Sequence, residues 1–111
     1  MSSFSEKGLL GELEQLVMLA IARLDDAYAV SIRDEIETRT GIALGRGSVY
    51  VTLDRLERKG FLRSAFGAPT PERGGKAKRC FTLTAAGRRA LAQAEAALAR
   101  MRAAHPERSS R

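Results

Sequence analysis

Residues 46–60 read Arg46-Gly-Ser-Val-Tyr-Val-Thr-Leu-Asp-Arg-Leu-Glu-Arg-Lys-Gly60. Val49, Leu53 and Leu56 fall at i, i+4 and i+7, so on a helix they make one narrow apolar stripe. The remaining faces carry Arg46, Ser48, Tyr50, Val51, Arg55 and Arg58. One side of this helix is built to dock on a core. The other side sets a hydroxyl, a phenol and a small apolar group among cations. That mixture suits a helix in the major groove of DNA, where cations hold phosphates and short side chains reach base edges. On its own the segment also fits an ordinary solvated amphipathic helix. Its surroundings decide between the two.

Upstream, the spacing predicts two helices. The first runs roughly from Leu10 to Leu24, with Leu13, Leu16, Val17, Ala20, Ile21 and Leu24 on a broad buried face. Asp25 and Asp26 end it and are placed to cap the next helix. The second covers about Ala29 to Thr40, with Ala29, Ile32 and Ile36 inward and Gly41 as its stop. The third covers about Gly47 to Lys59, and Gly60 stops it. The pattern then switches. Phe61–Phe66 is short and partly alternating, so it predicts a strand. Residues 67–75 hold two prolines and three glycines and predict a loop. Lys78–Leu83 alternates again as a return strand. Thr84 is placed to cap a final helix from about Ala85 to Ala104, with Leu91, Ala94, Leu98 and Met101 on one face. Pro106 limits its length, and residues 107–111 read as a frayed tail.

The order helix, helix, helix, strand, loop, strand, long helix is that of a mostly helical α+β fold, the winged helix-turn-helix. The hairpin is the wing, and its basic tip can lie along a neighbouring groove or backbone. Residues 1–83 are the expected DNA-binding domain, and residues 84–111 the dimerisation helix and tail.

Charge agrees with this order. The 111-residue chain carries a formal net charge of +6, unevenly spread. Residues 1–45 hold 4 basic and 8 acidic groups, residues 46–79 hold 9 and 3, and residues 80–111 hold 6 and 2. The excess begins at the third helix and continues through the wing, which points to a polyanionic partner. A single cysteine, Cys80, excludes an internal disulfide and a cysteine-based zinc site. The longest apolar stretch lies near Leu16–Ala22, too short to span a bilayer, so a cytoplasmic protein away from the membrane is expected. No nucleophile–base–acid set and no phosphate-cradling glycine loop is recognisable, so no enzyme, cofactor or metal is expected.

Tyr28-Ala-Val-Ser-Ile32, Gly47-Ser-Val-Tyr50, Leu53-x-x-Leu-Glu-Arg-Lys-Gly-Phe-Leu62, Gly74-Gly-Lys-x-Lys-Arg79 and Leu83-Thr-x-x-Gly87 resemble the PadR family of bacterial transcriptional regulators. The match covers about residues 9–100. A single C-terminal helix resembles the family's short subfamily. The resemblance implies a homodimeric DNA-binding regulator, usually a repressor, that dimerises through its C-terminal helix. It carries the family's DNA-contacting hydroxyls onto Ser48 and Tyr50, and its basic wing onto Lys76, Lys78 and Arg79. This chain departs from the pattern at its long proline-bearing wing turn, residues 68–74, at Ala29 in place of a common glycine, and at Cys80-Phe81 in place of a common aromatic pair. It has no tryptophan, so the aromatic drug pocket of some relatives does not carry over.

Several residues have two readings. Ser48 can cap the third helix, contact phosphate, or do both. Tyr50 can lie half-buried with its hydroxyl outward. Arg55 and Arg58 can pair with Asp54 or Glu57, and Arg55 points the better way for DNA. Cys80 reads as a small buried strand residue rather than a redox sensor. The expected DNA surface is Arg46, Ser48, Tyr50, Val51, Arg55, Lys76, Lys78 and Arg79 on double-stranded DNA. The expected homodimer surface is Leu9, Leu10, Leu13, Leu91, Ala94, Leu98 and Met101, whose stripe could instead fold back on its own first helix in a monomer. A repressor is one reading, and a winged-helix protein-interaction module without sequence readout is the other. Release from DNA would need either a small-molecule effector at the dimer interface or a fall in protein concentration.

Overall fold

The computed structural model describes residues 9–67 and 77–103. Their order is α1 (Glu12–Arg23), α2 (Ala29–Thr40), α3 (Arg46–Arg58), β1 (Leu62–Phe66), β2 (Arg79–Leu83) and α4 (Ala85–Arg102). The strands pair antiparallel, with Leu62 opposite Leu83 and Phe66 opposite Arg79. This is the winged helix-turn-helix that the pattern predicts. Most of the predicted wing turn, with Lys76, lies outside the described residues, as do Ala104, Pro106 and the tail.

The core lies where α1, α2 and α3 meet the hairpin. Met18, Ile32, Leu53, Leu56, Val17 and Val49 are its largest fully buried side chains. Leu62, Phe81 and Leu83 add the inner face of the hairpin. Each such side chain contributes roughly 1.5–3 kcal/mol through burial. On α1 the sequence pattern placed Leu13, Leu16 and Leu24 inside; they are only partly buried, and Met18 and Glu14 take inner positions. Glu14 is tolerated there because both carboxylate oxygens are met. The Gly11 N–H donates to Oε1 at 2.9 Å, and Lys59 Nζ donates to Oε2 at 2.8 Å. Burial pushes this carboxyl up, but Lys59 and the Gly11 amide outweigh it and hold its pKa below the ordinary value.

The cap of α2 differs from the expectation. Asp25 and Asp26 do not hold its amides. The Tyr28 N–H donates to Ser31 Oγ at 3.0 Å, and the Ser31 hydroxyl donates to the Asp26 carbonyl at 2.8 Å. The Asp26 side chain points instead to the wing. Gly41 and Gly60 stop α2 and α3 as expected, with φ of 76° and 83°, backbone that an L side chain rarely adopts.

Thr84 does cap α4, accepting from the Gly87 N–H at 3.0 Å. The same residue fixes where α4 starts. Its N–H donates to the Phe61 carbonyl at 3.0 Å and its hydroxyl to the Gly60 carbonyl at 2.6 Å. Gly87 packs so closely on this turn that an added Cβ would lie 2.1 Å from the Phe61 oxygen. That contact is the physical reason for the Leu-Thr-x-x-Gly spacing.

From there α4 packs on α1 and β2. Its apolar stripe is divided. Leu91 and Ala94 are buried with Leu10 in the chain's own core, and Leu13 is half-buried. Leu98 is 40% exposed and Met101 84%, while Leu9 before α1 is 53% exposed. Among the described residues no helix is long and apolar enough to cross a membrane.

Candidate nucleic-acid interface

The third helix presents two faces, set by its sequence. Val49, Thr52, Leu53 and Leu56 are buried, and the Thr52 hydroxyl is taken up by the Ser48 carbonyl at 2.8 Å. Arg46, Ser48, Tyr50, Val51, Asp54, Arg55 and Arg58 are exposed. At ~100° per residue, Val51 and Arg58 lie along the crown of this outer face. Arg46 and Tyr50 occupy the shoulder toward α2 and the wing, and Ser48 and Arg55 the opposite shoulder. The charge of Arg55 reaches Glu14 on that side. Exposure does not separate Arg55 from Arg58, as the sequence reading had done.

Helix α3 begins at Arg46, with Gly45 as its N-cap and no side-chain cap. Ser48 is thus the third helical residue and does not cap the helix. It is one exposed hydroxyl on the shoulder beside Arg55. Tyr50 is 46% exposed and Val51 54%, so the outer face offers apolar surface between the cations. Small apolar groups in such a position suit contact with thymine methyls, and the cations suit phosphates.

Beside this face runs a groove of about 350 Å³ between the helices and the wing, lined in part by Tyr28, Val30, Tyr50, Phe66 and Phe81. Val30 is 42% exposed and Phe66 71%. Neither residue was expected in the surface. Phe66 closes β1, where the partly alternating pattern of Phe61–Phe66 left the direction of its ring open. Val30 sits in the first turn of α2, where the pattern assigned only inward and solvated positions.

The wing root is where the electrostatics concentrate. Lys78 Nζ pairs with the Asp26 carboxylate and lies 4.5 Å from the centre of the Tyr28 ring. Cys80 is half-buried, with Sγ 3.2 Å from Asp26 Oδ1. Arg79 Nη2 donates to Glu57 Oε1, Nε to Ser64 Oγ at 3.1 Å, and Nη1 stands 3.6 Å from Asp54 Oδ1. The Ser64 hydroxyl donates to Glu57 at 2.8 Å; with Arg79 it outweighs partial burial and holds the Glu57 carboxyl below its ordinary pKa. Two of the expected wing cations therefore carry internal partners. The partners were missed as site residues: Asp26, Asp54 and Glu57 lie outside the hairpin in sequence, and Ser64, on β1, meets Arg79 only through the strand register. Among the described residues no group of three His, Cys, Asp or Glu side chains could hold a metal.

The chain was compared with known proteins. No curated protein matches it. Among solved structures, a PadR-like transcription factor from Bacteroides fragilis is similar, with a TM-score of 0.69 and 25% identity over 80% of this chain and 82% of that one. A PadR family regulator from Eggerthella lenta gives a TM-score of 0.64 and 28% identity over 81% and 79%. A PadR-like regulator from Bacillus cereus shares the fold at 16% identity, with a TM-score of 0.67 over 80% and 82%. The family described as transcriptional regulator PadR-like matches residues 18–93. That match spans more than half of the chain, and the chain belongs to the PadR-like family of transcriptional regulators.

Proposed function

We propose that the protein is a sequence-specific repressor that binds an inverted-repeat operator as a homodimer. The observation that carries this reading is the outer face of α3, where Arg46, Ser48, Tyr50, Val51 and Arg55 are all exposed, with Arg46 and Tyr50 on the shoulder toward the wing. Phosphate contacts from the arginines would set register, and Tyr50 and Val51 would read base edges. The wing, with Lys78 and Arg79 at its root, would follow the neighbouring backbone. Residues 1–83 form the reading module. Residues 84–111 supply the second half of the assembly: Leu98, Met101 and Leu9 are exposed apolar side chains suited to a second copy, while Leu10, Leu91 and Ala94 are taken up in the chain's own core and Leu13 is half-buried. A two-fold axis through paired α4 helices would set two α3 helices on successive major grooves ~34 Å apart. Such a repressor works in the cytoplasm, on the chromosome.

The test is binding by an Arg46→Ala, Arg55→Ala double variant. Losing two phosphate contacts should lower the salt slope by about two units and weaken operator binding at least ten-fold. Full operator affinity in the double variant would remove α3 from the interface. A wild type with a salt slope and no preference among duplexes would instead favour a winged-helix interaction module.

A further inference from the structure

We propose that Arg79 is a positioning residue: it ties the root of the wing to α3 through Glu57, Ser64 and Asp54, and does not contact phosphate. This rests on the reading of α3 and the wing as the DNA surface.

Successive side chains of β2 leave on opposite faces, so Lys78 and Cys80 share one and Arg79 and Phe81 the other. Each face carries one cation, and each cation finds acidic partners on a different part of the helical core. Lys78 meets Asp26, in the turn between α1 and α2. Arg79 meets Glu57 and Asp54 on α3. Between them, the Phe81 N–H donates to the Ala27 carbonyl at 2.8 Å and fixes the outer edge of the strand. The wing root is held on both faces and along one edge.

The chemistry of the guanidinium separates Arg79 from an ordinary wing cation. Its donors form a rigid planar fork. Here Nε is on Ser64, Nη2 on Glu57 and Nη1 near Asp54, while Cζ lies 5.0 Å from the centre of the Phe81 ring. Ser64 lies on β1, so a single side chain joins β1, β2 and α3. Reaching a phosphate would require leaving both carboxylates together. A cation whose charge is already compensated inside the fold displaces no counterions when DNA binds, so it adds nothing to the salt dependence. It still matters for affinity. Without it the wing loses its angle to α3, and Glu57 and Asp54 meet the phosphates uncompensated.

Two substitutions distinguish bracing from contact. Arg79→Gln removes the charge, and Arg79→Lys keeps the charge but loses the fork. As a brace, both should weaken specific operator binding about ten-fold, the size of one lost coupled network. Arg79→Lys, which keeps the charge, should leave the slope of affinity against salt unchanged, whereas Arg79→Gln leaves Glu57 and Asp54 uncompensated and lowers the slope. As a phosphate contact, Arg79→Lys would bind like wild type. That result, or wild-type affinity in both variants, overturns the proposal. If Arg79→Gln does not fold, Arg79→Lys decides alone. Amide exchange of β2 in the free protein gives a readout without DNA: Arg79→Lys should speed it at least several-fold, and unchanged protection overturns the brace. If wild type shows no sequence preference, the repressor reading falls, and the exchange measurement still decides the brace.

Discussion

The root of the wing and the outer half of α4 both follow the reading helix, and the chain treats them oppositely. At the wing root, Lys78 and Arg79 are each matched to acidic partners brought from distant parts of the sequence. At the far end of α4, Leu98 and Met101 stand exposed with the rest of their stripe already covered. The difference lies in what a single copy can complete. The module of α1–α3 and the hairpin packs on one core within a single copy. The C-terminal helix starts inside that module, through Leu91 and Ala94, and then leaves it. An apolar stripe that is half buried and half open is suited to a second copy, because the buried half fixes the direction in which the open half projects.

The contrast is broken most severely at the joint between the two regions. Gly87 leaves no room for a Cβ, which would lie 2.1 Å from the backbone oxygen of Phe61. Backbone cannot give way as a flexible side chain can. Gly87→Ala should therefore cost about 3 kcal/mol, and lower the melting temperature by more than about 10 °C. Wild-type melting of this variant would mean that the start of α4 is not clamped to the turn after α3.

The open half of α4 gives the next largest effect, on assembly alone. A Leu98→Glu, Met101→Glu variant should keep its helical content and raise the dimer dissociation constant by roughly a hundred-fold or more, as for loss of central apolar anchors. Sedimentation measures both states. Leu91→Glu should behave differently: Leu91 is buried in its own chain, so that change should unfold the protein rather than split it. A monomeric wild type, or a charged variant that stays dimeric, would refute the division of the helix.

A smaller effect tests the closed half. Glu14 has a depressed pKa in the fold, from its hydrogen bonds to Lys59 and the Gly11 amide against the opposing effect of burial. A carboxyl depressed by folding contributes stability above its unfolded pKa, and that contribution disappears as pH falls through the folded value. Glu14→Gln should cost about 1 kcal/mol at neutral pH and little in acid. Denaturant titrations of the two proteins at neutral and acid pH should converge. A constant difference across that range would show that the Lys59 pair carries no such linkage.

Much of the fold was legible because it rests on local pattern. Val49, Leu53 and Leu56 announce the buried face of α3 by spacing alone, and all three are fully buried. Gly41 and Gly60 announce two helix ends by the one backbone conformation that favours glycine. The exposed set on α3 follows from the same periodicity. Pairing across the sequence was not legible. Nothing near Lys78 or Arg79 in the chain names Asp26 or Glu57 as partner; that needs strand parity, hairpin register and the docking of Phe81 on Ala27 together. Glu14 was hidden in the same way, since its partner Lys59 lies on another helix. Phe66 and Val30 were hidden because a strand end and a helix's first turn carry no pattern that marks an apolar side chain as exposed, and only the packing shows that their surroundings stay open.

If α3 reads a specific sequence, twice, about a two-fold axis, duplexes selected from a random pool by the wild-type protein should share an inverted repeat with half-sites about one helical turn apart. With affinity measured across salt, the selected duplex should be bound at least 10³-fold more tightly than a scrambled one at physiological salt. No enriched sequence, or equal affinity for both duplexes, would contradict that reading of α3.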